Sequence, residues 1–135
     1  MLLRTILLVV FSAAAAFSQN LSAQELTTER IKNLIRSEQP LDSMTIPLLA
    51  RMGDGAAAEI QKAVAAMGTL NARQQANIVV MIHKAFENVG AITQPANRTP
   101  QRSEALLDQI ASGTQDFSLR LKIADTRQFV ESARR

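Results

Sequence analysis

The stretch LLARMGDGAAAEIQKAVAAMG, residues 48–68, decides how this chain folds. Apolar residues recur at every third or fourth position before Gly53 and again after Gly55, which is the period of helices with one buried face. Gly53 can end the first helix, and the Asp54 carboxylate can accept hydrogen bonds from the free N–H groups that begin the second. The stretch therefore predicts two helices joined by a tight turn, with Asp54 as the N-cap of the second helix.

Helical periodicity also runs through the other segments after residue 24, and no segment alternates as a β-strand does. Predicted helices cover residues 25–37, 43–52, 56–67, 71–89, 100–112 and 116 onward. Asn71 and Gln74 have the spacing of a capping box, and Thr99 and Pro100 predict an N-cap followed by proline in the first turn. The sequence thus predicts an all-α fold of about six helices in three consecutive αα-hairpins.

The N-terminus, MLLRTILLVVFSAAAAFSQNLSA, has the three parts of a secretory signal peptide. Arg4 is followed by an apolar run over residues 6–17, which is shorter than the roughly 18 residues of a membrane-spanning helix. Cleavage after Ala23 leaves a single domain, residues 24–135, and cleavage after Ser18 is the competing site. We therefore expect a secreted or periplasmic protein, with a formal net charge of +2 once Arg4 is removed from the +3 chain and no stable membrane insertion.

Residues 46–67 resemble the junction between the two helices of HEAT-type repeats. The residues that match the helix stop and the Ala-rich helix after it are Leu49, Met52, Gly53, Asp54, Ala56, Ala57, Ile60 and Val64. Gly55 stands where the family usually has proline, and only one copy of the pattern is clear. The resemblance implies a scaffold that binds other proteins and carries no catalytic residue, while an irregular helical bundle is the alternative architecture.

The composition argues against most kinds of catalytic or cofactor site. The chain has no Cys and one His, His83, so thiolate metal sites, thiol catalysis and His-based triads lack the residues they need. We interpret His83 as a packing residue at the edge of an apolar face. The mild net charge gives no basic patch for nucleic acid. We predict no catalytic, cofactor-binding or metal-binding residues and no nucleic-acid partner.

The last predicted helix carries two apolar stripes on nearly opposite faces. One stripe comprises Leu119, Ile123, Thr126 and Val130, and the other comprises Phe117, Leu121 and Ala124. Because only one stripe can face a small core, the second is predicted to contact another exported protein. In the alternative, the helix starts near Ser118 and Phe117 packs back from the preceding turn.

These features favour a non-catalytic helical module for protein–protein interaction or scaffolding. Two alternatives stay open at this stage. A carboxylate-dependent hydrolase of the cell envelope would need a polar cleft with two acidic groups, for which the candidate pairs are Asp54 with Glu59 and Glu104 with Asp108. A weak membrane-surface binder would use Arg134 and Arg135.

Overall fold

The computed structural model describes residues 26–87, 89 and 92–133, and these residues form six α-helices, one 3₁₀ helix and no β-strand. The α-helices are α1 (Thr28–Arg36), α2 (Thr45–Met52), α3 (Gly55–Met67), α4 (Ala72–Glu87), α5 (Gln101–Gly113) and α6 (Phe117–Ser132). The 3₁₀ helix, Pro95–Asn97, lies between α4 and α5. The all-α prediction is confirmed, whereas the signal peptide, residues 1–23, lies outside the described residues.

Alternate helices pack side by side, so the fold has two layers. Helix α3 contacts α1 and α5 in one layer, and α4 contacts α2 and α6 in the other. Helix α4 also contacts every helix of the first layer, which makes it the central element. Consecutive helices from α2 onward touch as well, for example α5 and α6, but the most extensive contacts join helices that are two apart in the chain.

The core forms where the apolar stripes of these helices meet around α4. The buried residues of α4 are Ile78, Val79, Met81, Ile82, Ala85 and Phe86. Helix α3 contributes a face of small residues beside Ile60, since Ala56, Ala57 and Ala63 are almost fully buried. Small side chains let neighbouring backbones come close, which suits α3 to its place between two other helices.

The start of α4 is fixed by its own sequence. The Gln74 N–H donates to Asn71 Oδ1 at 2.8 Å, and the Asn71 N–H donates to Gln74 Oε1 at 3.0 Å. These reciprocal bonds confirm the predicted capping box and satisfy two N–H groups at the helix start. Thr27 and Asp116 cap α1 and α6 in the simpler one-bond manner.

Gly53 ends α2 as predicted, and it also makes room for a distant loop. Its φ is +53°, and its N–H donates to the Leu49 carbonyl at 3.0 Å. A Cβ at this position would lie 2.4 Å from the Asn97 carbonyl oxygen and 2.7 Å from Thr93 Cγ2. The close approach of the 92–100 loop therefore requires glycine here, in addition to the positive φ.

Asp54 does not cap the helix that follows it, so that prediction was wrong. Its buried carboxylate accepts hydrogen bonds from the Arg102 N–H at 3.0 Å, the Ser103 N–H at 2.8 Å and the Ser103 hydroxyl at 2.8 Å. These are the second and third residues of α5, whose N–H groups an N-cap side chain ordinarily satisfies. Asp54 therefore caps α5 from a position about 50 residues earlier in the chain.

The prediction that Thr99 caps α5 was also wrong. Helix α5 begins at Gln101, and the residue at its N-cap position is Pro100, which has no side-chain oxygen. The Pro100 carbonyl still accepts the first helical hydrogen bond, from the Glu104 N–H at 2.8 Å. Because Pro100 cannot satisfy the N–H groups of the first turn, the Asp54 carboxylate takes over that role.

The loop between α4 and α5 is bonded at further points to α2 and to the turn that follows it. The Thr93 hydroxyl donates to the Ala50 carbonyl at 2.7 Å, and the Asp54 N–H donates to the Asn97 carbonyl at 2.8 Å. Arg98 Nε donates to the Thr93 carbonyl at 3.0 Å, within the loop itself. Together with the Asp54 carboxylate, these bonds fix where α5 begins.

Alanine substitutions at Gly53 and Gly68 distinguish the cost of crowding the 92–100 loop from the cost of a positive φ. Gly68 also has a positive φ, +81°, but a Cβ there would meet nothing within 4 Å. We expect Gly68→Ala to lower the free energy of unfolding by about 1–3 kcal/mol through backbone strain. Gly53→Ala should lower it by about 1–3 kcal/mol more through the overlap with the loop. Urea denaturation followed by circular dichroism measures both, and equal losses would contradict the close approach.

Removing the Asp54 carboxylate should cost more than removing an ordinary helix cap. Asp54→Ala leaves three donors at the start of α5 without their acceptor, two of them buried, for which we expect a loss of about 3 kcal/mol. The matched control is Asp116→Ala, which removes one bond at the start of α6 and should cost about 1 kcal/mol. The same denaturation experiment compares the two, and equal costs would show that Asp54 does not hold α5.

Candidate interaction surface on the last helix

Helix α6 presents an apolar stripe to solvent, composed of Phe117, Leu121 and Ala124. We call these three residues the outer face of α6. Phe117 is 74% exposed and Leu121 53% exposed, and Ala124 is exposed as well. The spacing of four and three residues places them on one side of the helix. The outer face is therefore a continuous apolar surface of about two turns, rather than a set of scattered residues.

The other stripe of α6 faces the core, as predicted. Leu119, Ile123, Thr126 and Val130 are all buried, and α6 packs through them against α4 and α5. The helix begins at Phe117, where the Asp116 carboxylate accepts from the Leu119 N–H at 2.9 Å. The alternative in which Phe117 packs back against the preceding turn is wrong, because that side chain points into solvent.

Two arginines beside the outer face contact α5 or the residue that follows it. Arg120 Nε donates to the Thr114 carbonyl at 3.0 Å, and Arg127 forms an ion pair with Asp108. A surface ion pair of this kind contributes little stability, but both contacts lie along the same edge of α6. They agree with the rotation of α6 that its buried stripe sets, with the outer face turned away from the core.

His83 packs on α6 from the central helix. Its ring stacks on Phe129 with the ring centroids 4.1 Å apart and the planes inclined by 15°. The packing interpretation of His83 is thus confirmed. Within the described part of the chain, no group of three or more His, Cys, Asp or Glu residues is placed to hold a metal ion.

The carboxylates proposed as acid–base pairs have other partners. Asp54 is bonded to α5, Glu59 pairs with Lys62 at 3.0 Å, and Asp108 pairs with Arg127. Four surface grooves have volumes of about 220–320 Å³. Three of them are each lined by one carboxylate, which is Glu59, Asp125 or Asp116, and the other is lined by none. These grooves do not have the two acidic groups that a carboxylate-dependent hydrolase would need.

Three carboxyl groups have a pKa below the ordinary value for their residue type. A hydrogen bond from Lys32 lowers the pKa of Glu29, one from the Thr45 hydroxyl lowers that of Asp42, and one from Lys84 lowers that of Glu87. A general acid at neutral pH needs a raised pKa. These three groups are therefore hydrogen-bond acceptors at helix surfaces and ends, and none of them suits the role of a general acid.

Two further large apolar side chains are exposed, and no pattern in the sequence predicted their exposure. Met44 is 73% exposed just before α2, and Ile92 is 61% exposed in the loop after α4. Neither belongs to a helical stripe, so the apolar periodicity could not mark them. Single exposed apolar residues of this kind are common on protein surfaces, which leaves the outer face of α6 as the better candidate for a contact.

None of the helices over the described residues is both long enough and apolar enough to span a bilayer. Comparisons with known family models, curated proteins and solved structures found no match to this chain. The HEAT-type resemblance of residues 46–67 therefore stays a prediction.

Introducing a charge on each side of α6 tests which stripe belongs to the core. Leu121→Asp should change the free energy of unfolding by no more than about 0.5 kcal/mol and leave helicity unchanged, since this side chain is largely in water. Ile123→Asp, two residues further on and 2% exposed, should cost more than about 3 kcal/mol because it buries a carboxylate. A loss of several degrees in the melting temperature of Leu121→Asp would place the outer face in the core.

Proposed function

We propose that this chain is an exported, non-catalytic helical module that acts by binding another exported protein through the outer face of α6. The observation that carries the proposal is the exposure of Phe117 and Leu121 on the side of α6 opposite its buried stripe. Apolar side chains in a continuous stripe gain free energy when a partner removes them from water. Aromatic and aliphatic residues of this size are typical anchors of protein interfaces.

The architecture supports a scaffold role. Two layers of alternately packed helices leave α6 with a free side over the described residues, since its contacts there are with α4 and α5. In helical repeat proteins each unit stacks on the next, and the faces that stacking leaves uncovered are open to a partner. The HEAT-type resemblance of residues 46–67 agrees with this organisation. We propose the fold as a short HEAT-like array.

Export is proposed from the sequence of residues 1–23, which has the order of a signal peptide. The absence of Cys is compatible with an oxidising compartment, because such a chain has no thiol to oxidise. The single cationic residue before the apolar run, Arg4, matches the expected n-region.

A comparison of bait variants tests the binding function. The tagged chain, its Leu121→Asp variant and its Ile92→Asp variant are each incubated with the exported fraction of the source cells, and the captured proteins are quantified by mass spectrometry. Ile92→Asp is the matched control, because it places the same charge at an apolar position of similar exposure on another element. We expect a protein that the parent and Ile92→Asp capture equally and that Leu121→Asp loses at least about tenfold. A capture profile that is identical for all three baits would contradict the proposal.

Export is tested separately by expressing the full sequence in bacteria and measuring the intact mass of the chain in each cell fraction. We expect the periplasm or the medium to contain a chain that begins at Gln24 or at Gln19. A chain that stays in the cytoplasm with residues 1–23 attached would contradict the localisation and leave the binding test unaffected.

A further inference from the structure

We infer that the partner of the outer face is a second copy of this chain, paired in parallel along α6. This inference rests on the proposed function, because it names the occupant of the same surface. It is carried by the charges beside the stripe, which are placed to attract a parallel copy and to repel an antiparallel one.

The outer face has the spacing of a coiled-coil seam. Phe117 and Ala124 occupy one class of seam position, Leu121 and Gln128 occupy the other, and the intervals of four, three and four residues follow the heptad repeat. All four side chains are exposed in the described structure. The seam lies opposite the buried stripe of α6, so a second helix can lie along it without meeting α4 or α5.

The flanking charges select the parallel arrangement. Arg120 and Asp125 are exposed and lie on opposite sides of the seam, five positions apart in the sequence. In a parallel pair of helices this spacing brings the two residues together across the interface, and the two-fold axis repeats the ion pair on the other side. In an antiparallel pair Arg120 would instead lie near Arg127 of the second copy, where like charges repel.

Arg120 has further donors beside the one that it already uses. Its Nε donates to the Thr114 carbonyl. A guanidinium carries five N–H donors in a fixed planar arrangement, so the remaining donors are available to a carboxylate of the second copy. The bond to Thr114 also limits the rotamers of Arg120, which lowers the entropy lost when the intermolecular pair forms.

The seam is about three turns long, and a contact of this size lies at the small end of specific interfaces. The dimer should therefore depend on concentration and form at high protein concentration. The short seam also makes the single large residue at its centre, Leu121, decisive for association, because few other side chains bury apolar area there.

Sedimentation velocity of the chain recovered after expression of residues 1–135 tests the inference, with concentrations up to about 1 mM. We expect a monomer–dimer equilibrium whose Kd rises at least about tenfold in Leu121→Asp and is unchanged in Ile92→Asp. Asp125→Lys should raise Kd about two- to fivefold, and adding Arg120→Glu to that variant should restore it by exchanging the two charges. Circular dichroism of each variant checks that it is folded.

The orientation is tested by single cysteines, since the chain has no Cys of its own. In a parallel pair Ala124 faces its own copy across the two-fold axis, so Ala124→Cys should form a disulfide-linked dimer on mild oxidation and Ile92→Cys should not. A linked dimer that forms only when Leu121→Cys and Ala124→Cys chains are mixed would show an antiparallel pair and overturn the inference.

The outcomes separate this inference from the function on which it rests. A chain that stays monomeric at every concentration, or a dimer that Leu121→Asp does not weaken, overturns the inference. If the parent chain in that case captures a different protein that the Leu121→Asp variant does not capture, the binding function holds and only the identity of the partner is wrong. If it captures nothing through this face either, both proposals fail.

Discussion

The carboxylate of Asp54 joins two parts of the chain that are distant in sequence. It stands in the turn between α2 and α3, and its three hydrogen bonds replace the cap that Pro100 cannot give to α5. A buried carboxylate is costly unless its oxygens are bonded, and here the donors belong to the positive end of a helix. The same bonds thus satisfy the carboxylate and position α5, on which α6 then packs.

Further contacts between elements have the same character, because side chains of one element satisfy the backbone groups of another. The Asn77 amide on α4 donates to the Ile35 and Ser37 carbonyls at the end of α1, at 2.8 and 2.9 Å. Thr93 bonds a carbonyl of α2, and Arg120 bonds the segment before α6. Such bonds have defined directions, so they add to the orientation that the apolar packing gives the helices. The outer face of α6 points to solvent because the opposite stripe of that helix is buried against α4 and α5.

Local signals in the sequence predicted most of the helices but not the long-range bonds between them. The capping box of Asn71 and Gln74 and the helix stop at Gly53 depend on residues within four positions of one another, and both were predicted correctly. The role of Asp54 was not, because an aspartate before a helix is equally able to cap that helix or a distant one. Asp54 caps the distant helix α5 because Pro100 offers no side-chain acceptor at its start. Only folding brings Asp54 close to that helix start. The two stripes of α6 were visible in the periodicity, and the structure confirms that the stripe of Leu119, Ile123, Thr126 and Val130 is the buried one.

Amide hydrogen exchange at Ser103, measured by NMR, tests most directly whether Asp54 holds the fold together. Amides in the first turn of a helix ordinarily exchange quickly, and Gln74, which is capped at an exposed helix start, provides the reference. Because the bond from Ser103 to Asp54 is buried, we expect Ser103 to exchange as slowly as Ile82 in the centre of α4. If Ser103 exchanges as quickly as Gln74, the start of α5 opens on its own and the Asp54 carboxylate does not hold the two segments together.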